Sequence, residues 1–132
     1  MRIYITHCSA KKADVYRGTD TAVTPDVLYT SVKTQCFMRE CKAKSVRWAI
    51  FSDLYGIWFP EDKHFWYEKK PDSVSECEFR ALVADFDKKL NDYQEIFFYR
   101  NPGRFHRLYK RVINASRLKN RIVLISRKSD II

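Results

Sequence analysis

Apolar and polar residues follow each other along the chain in blocks that predict strands alternating with helices. Short, nearly continuous apolar runs are typical of buried strands, and they occur at residues 2–8, 46–51, 95–99 and 121–126. Between these runs, apolar residues recur at helical spacing over residues 27–44, 79–90 and 105–113. The predicted order of elements is therefore β-α-β-α-β-α-β.

Strands that are apolar on both sides and alternate with helices indicate a parallel sheet covered on both faces. We expect one α/β domain over residues 1–132, because a chain of 132 residues is long enough for one ordinary core and too short for two. The predicted architecture is a three-layer sandwich with a central four-stranded, mainly parallel sheet in the strand order 2-1-3-4. Pro25 is placed to begin the first helix. Ser75 and Glu78 form a capping-box pattern before the second helix.

Two long segments, residues 9–25 and 52–71, are predicted to be loops. The second is rich in aromatic residues, which could either stack on a bound base or fold onto the sheet as a small core. We expect most of these rings to pack onto the sheet. Tyr55 and Trp58 lie nearest the predicted strand end and are the expected stacking residues.

The composition, 45% hydrophobic with 15% aromatic residues, excludes a disordered chain. An apolar stretch of about 18 residues, which a membrane-spanning helix needs, is absent from the sequence, and so is a signal-peptide layout. We therefore expect a cytoplasmic protein without a membrane partner. The four cysteines lack metal-ligand spacing, so they are expected to be reduced, and neither a metal nor a cofactor is predicted. The oligomeric state is left open.

The net charge of +9 arises entirely in the last quarter of the chain. Residues 1–99 contain 15 basic and 15 acidic residues, whereas residues 100–132 contain 10 basic residues and a single acidic one. Such an asymmetry favours a polyanionic partner, so nucleic acid or a nucleotide is expected; the alternative is an ordinary solvated basic face. Arg104, Arg107 and Arg111 follow helical spacing and are the predicted nucleic-acid-binding residues.

Ligands of open parallel sheets bind at the carboxyl ends of the strands, near the point where the strand order reverses. This rule selects polar residues that follow the four predicted strands, beside the longest loops of the chain. The candidate ligand-binding residues chosen in this way are His7, Cys8, Ser9, Lys12, Ser52, Tyr55, Gly103, Arg104 and His106.

Asp53 and Asn101 are the candidate catalytic residues. A partly buried Asp53 could act as a general base or orient a water molecule; the alternative is a turn or helix cap. Asn101 would read or polarise a base, and it begins an Asn-Pro-Gly turn before a helix, a natural phosphate site. Ser9, Lys12 and Arg104 would hold phosphate. A Cys8–His7 dyad is not expected, because adjacent residues on a strand point to opposite faces.

Two strings of the sequence carry a resemblance: residues 8–12 (CSAKK) after the first strand, and residues 48–56 (WAIFSDLYG) through the end of the second. They resemble a family of uncharacterised domains that is similar to one domain of archaeosine synthase, a transfer-RNA base-modifying enzyme, and has a uracil-DNA-glycosylase-like fold. The Asn-Pro-Gly turn also resembles the Asn-Pro-Ser or His-Pro-Ser motif of those glycosylases. This resemblance implies a nucleobase pocket at the strand ends. The glycosylase motif of the type Gly-x-Asp-Pro-Tyr is absent after the first strand. The resemblance therefore implies that Asp53 would replace the acidic residue of that motif.

The sequence thus predicts a protein that binds a nucleobase, a nucleotide or nucleic acid, and that could act on a glycosidic bond or modify a base. The alternative is a non-catalytic nucleic-acid-binding accessory or viral regulatory protein that uses the basic C-terminal segment. Both depend on residues near positions 8, 53 and 101 meeting in one crevice.

Overall fold

The computed structural model of the protein describes residues 1–100 and 105–132. Its five strands form one sheet: β1 (Arg2–His7), β2 (Trp48–Ser52), β3 (Gly56–Trp58), β4 (Glu95–Tyr99) and β5 (Ile122–Ile125). Its four α-helices are α1 (Pro25–Leu28), α2 (Val32–Ala43), α3 (Glu76–Leu90) and α4 (Arg107–Ala115).

The sheet has the strand order β3-β2-β1-β4-β5. β1 lies parallel to β2 on one side and parallel to β4 on the other, and β4 lies parallel to β5. Ile5 on the central strand is thereby in register with Ala49 and Phe98. The four strands that the sequence predicted therefore lie in the predicted order, and the mainly parallel α/β architecture is confirmed.

β3 is the strand that the sequence pattern missed, because it is only three residues long and lies inside the segment predicted as a loop. Gly56 begins it with a φ of +74°, a left-handed conformation that glycine adopts without steric cost. The chain turns back there, and β3 runs antiparallel to β2. Trp58 is fully buried, and its indole N–H donates to the carbonyl of Asp62 at 2.8 Å. The expectation that Trp58 stacks on a ligand is therefore wrong.

The single helix predicted over residues 27–44 is two helices. Tyr29, which follows α1, is extended, and the backbone N–H of Thr30 donates to the carbonyl of Lys11. Ser31 then caps α2, since its Oγ accepts from the backbone N–H of Thr34. The pattern could not predict this break, because the hydrogen bond that closes it comes from a residue far away in sequence. Pro25 begins α1, as predicted.

The helices cover both faces of the sheet. α3 and α4 pack on one face, with Phe86 and Val112 among their fully buried residues. α1 and α2 pack on the other face, through Leu28 and Phe37. The capping box predicted for Ser75 and Glu78 begins α3. The three-layer sandwich is thus held by two apolar clusters, one on each side of the sheet.

β5 departs from the predicted burial on both faces. Val123 and Leu124 are 51% and 45% exposed, although they point to opposite sides of the strand. β5 lies at the edge of the sheet. α2 and α4 pack over the more central strands, and this leaves both faces of β5 partly exposed. Coverage on both faces is therefore a property of the central strands, which are the strands that lead to the site described next.

Candidate functional site

A cleft of about 500 Å³ opens where β1, β2 and β4 end. Its position is the one that the rule for open parallel sheets selects, beside the central strand at their carboxyl edge. The cleft is lined by residues of the strand ends, the first turn of α2, a segment before α3, and the start of α4: Thr6, His7, Cys8, Ser9, Ala10, Ser31, Val32, Lys33, Thr34, Asp53, Lys69, Lys70, Pro71, Tyr99, His106 and Tyr109.

Five of the predicted site residues meet in this cleft: His7, Cys8, Ser9, Asp53 and His106. They come from three separate parts of the chain, and parallel strands bring them to one edge. The predictions for Asn101, Gly103 and Arg104 fall on residues 101–104, which lie outside the described residues.

Asp53 is a buried carboxyl group, which is energetically unfavourable in a protein interior unless its oxygens are hydrogen-bonded. It directly follows β2 and is only 2% exposed, yet its Oδ1 has no hydrogen-bond partner among the described residues. Burial raises the pKa of this carboxyl, and the Lys12 ammonium, the side chain of Cys8 and the Lys69 ammonium oppose that rise. A buried carboxylate oxygen without a donor is costly unless something supplies one. The described residues therefore leave Asp53 Oδ1 as a buried acceptor without a donor, at the edge of the cleft.

Cys8 lies beside Asp53 and forms a buried contact with Tyr109. Its Sγ is 3.4 Å from the Tyr109 hydroxyl, and either atom can donate. Burial, together with the nearby charge of Asp53, raises the pKa of the Cys8 thiol to about 11. A thiol with so high a pKa stays protonated near neutral pH, so Cys8 is a wall and a weak donor of the cleft, not an activated nucleophile.

His7 and Tyr109 form an aromatic wall of the same cleft. Their rings stack with centroids 5.0 Å apart and planes 20° apart. His7 Nδ1 is held by the backbone carbonyl of Cys8 at 2.9 Å, whereas its buried Nε2 has no partner among residues 1–100 and 105–132. Burial lowers the pKa of His7, which favours the neutral ring. The result is a flat, uncharged ring whose second nitrogen, Nε2, is buried.

A network of buried hydroxyl groups supports the floor of the site. Ser52 donates to the Tyr67 hydroxyl at 3.0 Å and accepts from two backbone N–H groups of the turn after β2. The Tyr67 and Tyr29 hydroxyls are 2.5 Å apart. Lys12 places its Nζ 4.5 Å from the centre of the Tyr67 ring. Ser52 thus holds the turn that carries Asp53, and the charge of Lys12 acts on the Asp53 carboxyl. Neither of these two predicted residues lines the cleft.

Tyr55 lies apart from the main cleft. It lines a smaller pocket of about 260 Å³ that shares Asp53 with the main one. Its ring is stacked on His64 with centroids 4.0 Å apart, and its hydroxyl donates to the carbonyl of Phe65. One face of the ring is therefore covered by the protein, which reduces the case for its predicted role in stacking on a ligand.

The predicted basic residues of α4 are only partly available to a partner. Arg107 is exposed. Arg111 pairs with Glu76 at 2.9 Å and lies over the Phe79 ring at 4.1 Å. His106 caps α4 through Nδ1 and pairs with Asp72 through Nε2 at 2.7 Å. These contacts give Arg111 and His106 structural roles in joining α4 to the region around α3.

Residues that sequence reasoning missed complete the cleft. The sequence pattern predicts Tyr99 in a strand and Tyr109 in a helix core. It predicts Ser31 inside the helix of residues 27–44, and Lys69 and Lys70 inside the loop of residues 52–71. Tyr99 is the last residue of β4 and belongs to the strand ends that the rule selects, although it is not among the predicted site residues. Lys69 and Lys70 carried no comparable signal, because only the fold of the long segment before α3 brings them over the strand ends.

The described side chains of the cleft can form hydrogen bonds and interact with charges, but they do not form a metal site. Within residues 1–100 and 105–132, no three His, Cys, Asp or Glu side chains are grouped closely enough to hold a metal ion. In the same part of the chain, no helix has the length and apolar character to cross a membrane. Comparison of the chain with family models, with curated proteins and with solved structures gave no match.

Proposed function

We propose that the protein binds a nucleobase-bearing ligand, a nucleoside or nucleotide, in the cleft at the carboxyl ends of β1, β2 and β4. The observation that carries the proposal is the buried Asp53 carboxyl, whose Oδ1 has no donor among the described residues. A nucleobase has N–H groups on its edge that donate to such an oxygen. A donor held in so dry a place also contributes more than it would in water.

The walls of the cleft suit a flat, partly polar molecule. The ring of His7, backed on one face by the buried ring of Tyr109, lines the cleft, and Tyr99 contributes another ring from the end of β4. Aromatic side chains bind bases by stacking, with about 1–3 kcal/mol for each base. A volume of about 500 Å³ lies within the range of pockets that enclose small molecules. The resemblance of residues 8–12 and 48–56 to a family of domains that is similar to one domain of archaeosine synthase implies the same class of ligand.

Isothermal titration with the four common ribonucleosides and their 5′-monophosphates tests this function. We expect at least one of them to bind the wild type, and Asp53→Asn to weaken that binding about 10- to 100-fold, since the neutral amide oxygen is a weaker acceptor of the N–H than a carboxylate oxygen. Asp20→Asn, on an exposed loop, is the matched control and should leave the affinity unchanged. Absence of binding to the whole panel, or equal binding by both variants, would contradict the proposal.

Hydrolysis of a glycosidic bond is a second candidate function, favoured by the raised pKa of Asp53. In that reaction Asp53 takes a proton from a water molecule, whose oxygen forms a bond to the anomeric carbon. The bond from that carbon to the base nitrogen breaks, and the base leaves with the bonding electrons and takes up a proton from solvent. Asp53 then releases to solvent the proton that it took from the water molecule. Chromatography of the binding mixtures for free base tests this step. Release by the wild type that Asp53→Asn abolishes would support it, and no release from a bound nucleoside would exclude it.

The alternative predicted from the charge pattern, nucleic-acid binding through the basic segment of residues 100–132, has a weaker structural basis. Arg111 already has Glu76 and Phe79 as partners, whereas Arg107 is exposed. If this alternative holds, changing both arginines to Ala should weaken oligonucleotide binding and flatten its dependence on salt. Unchanged affinity would exclude that surface.

A further inference from the structure

We propose that the outer edge of β5 is a docking site for an extended, acidic polypeptide segment, which adds to the sheet as a sixth strand. Strand addition at an open sheet edge is a recurring mode of peptide recognition, in which main-chain hydrogen bonds supply the affinity. All four residues of β5 are described, and none of them lines the cleft, so this surface is separate from the proposed nucleobase site.

The opposite edge of the sheet, β3, is closed by side chains of α3. The Ile57 backbone N–H donates to Asp85 Oδ2 at 2.8 Å, and the Ile57 carbonyl accepts from Lys89 Nζ at 2.9 Å. Asp85 and Lys89 also form an ion pair with each other at 2.9 Å. These two side chains thus occupy the backbone groups that another strand would need for pairing with β3.

The edge formed by β5 is open in the part of the chain that the structure describes. The Ile125 carbonyl accepts from the Arg100 backbone N–H at 2.9 Å, so the backbone groups of Ile125 face β4. The direction of these groups alternates along a strand, and the N–H and carbonyl of Leu124 therefore point away from β4. Neither group of Leu124 has a hydrogen-bond partner within residues 1–100 and 105–132. The fold closes one edge of the sheet and leaves a donor and an acceptor at the other.

β5 also presents apolar side chains beside these backbone groups. Val123 and Leu124 are each about half exposed, on opposite faces of the strand. The sequence of β5, Ile-Val-Leu-Ile, contains neither a charged residue nor a proline, which are common means of protecting an exposed edge strand from pairing. A sixth strand would cover part of both side chains and would pair with the free backbone groups of Leu124.

The charges that flank β5 determine the chemistry of the partner. Lys119 precedes the strand and Lys128 follows it; both are exposed, and neither forms an ion pair with a described residue. Arg127 contacts Asp130, at 3.8 Å, which is the single acidic residue of the segment 100–132. A second copy of the chain, paired antiparallel about Leu124, would bring basic flank against basic flank and be repelled. A strand with acidic residues at its ends complements both flanks.

Fluorescence anisotropy with labelled synthetic peptides tests the docking site on the intact protein. The probe is the nonapeptide Glu-Asp-Val-Thr-Val-Thr-Val-Asp-Glu. We expect it to bind the wild type at least about tenfold more tightly than the same peptide with Lys at the four acidic positions, by a margin that shrinks as salt rises. Methylation of its five central amide nitrogens keeps its charge and removes its main-chain donors, and it should weaken binding at least about tenfold.

Two pairs of protein variants locate the binding surface. Leu124→Pro removes the outward N–H without breaking the ladder with β4, and it should weaken binding at least about tenfold. Leu124→Ala keeps that N–H, so it is the matched control and should lose less affinity. K119Q/K128Q should weaken binding and flatten its dependence on salt, whereas K63Q/K88Q removes the same charge from exposed positions on other elements and should leave both unchanged.

Amide hydrogen exchange of the wild type measures the same contact without any substitution. Saturation with the acidic peptide should slow exchange of the Leu124 N–H at least about tenfold. Unchanged exchange there, full binding by Leu124→Pro, or full binding of the methylated peptide would overturn docking at the β5 edge. Equal affinity for the acidic and basic peptides would overturn the acidic partner. A dimer in sedimentation that Leu124→Pro abolishes would give the edge to a second copy and overturn the proposal as well.

Discussion

The buried Asp53 carboxyl is expected to destabilise the folded protein. Asp53→Asn should therefore raise the free energy of unfolding near neutral pH. The carboxyl is 2% exposed, and its Oδ1 has no donor among the described residues. Leaving a buried polar group unsatisfied costs about 1–3 kcal/mol, and more for a charged group. Lys12 and Lys69 recover part of this cost through their charges. We expect a net gain of about 1–2 kcal/mol in the free energy of unfolding for the amide variant.

The pH dependence of this gain follows from the direction of the pKa shift. Burial raises the pKa of Asp53 in the folded protein above its unfolded value of about 3.9. The folded state therefore holds the proton more tightly, and the wild type loses stability as the pH rises from the unfolded pKa through the folded one. The amide that Asp53→Asn introduces does not titrate. The advantage of the variant should be smallest at about pH 4 and reach its full size above the folded pKa.

Urea denaturation of both proteins across this pH range measures the effect. The midpoint of the variant should lie above that of the wild type at about pH 8, with the two converging towards about pH 4. Asp20→Asn is the control and should change stability by less than about 0.5 kcal/mol. A variant that is less stable than the wild type at neutral pH, or a difference independent of pH, would refute the view that Asp53 is kept buried for a ligand at the expense of stability.

Two further predictions concern the turn after β2 and the cysteines. Gly56→Ala should lower the free energy of unfolding by about 2–4 kcal/mol, because its Cβ would lie 2.1 Å from Asp85 Oδ2, which accepts the Ile57 backbone N–H. Gly18→Ala, with a similar φ of +70° and no atom within 4 Å, should cost only about 1 kcal/mol; equal losses in urea denaturation would contradict the steric argument. Iodoacetamide at about pH 8 should alkylate the exposed Cys77 long before Cys8, whose thiol is buried with a pKa raised to about 11. Mass spectrometry of labelled peptides checks this order, and equal rates would show that Cys8 is neither buried nor protonated.

The sequence pattern predicted the long-range architecture well because it depends on periodic burial. The runs of residues 2–8 and 95–99 become the central strands β1 and β4, since residues apolar on both sides have no other way to be buried. Capping residues such as Ser75 act within a few positions of their own helix and were also predictable. The strand-end rule predicted the position of Asp53 at the edge where the cleft lies, because the rule depends only on strand direction.

The missed features depend on contacts between residues far apart in sequence. The short strand β3 exists because β2 offers an edge to pair with, and three residues contain too little pattern to predict it. The break before α2 depends on the hydrogen bond from Thr30 to Lys11. Lys69 and Lys70 enter the cleft only through the course of a long segment that has little regular structure. A pattern of hydrophobic positions has no information on such a course.

A crystal structure of the protein with a bound nucleoside 5′-monophosphate would test the central claim most directly. The account predicts the base in the cleft with one of its N–H groups about 2.8–3.0 Å from Asp53 Oδ1. A base bound on another surface, or one that lies in the cleft without a hydrogen bond to Asp53, would contradict it.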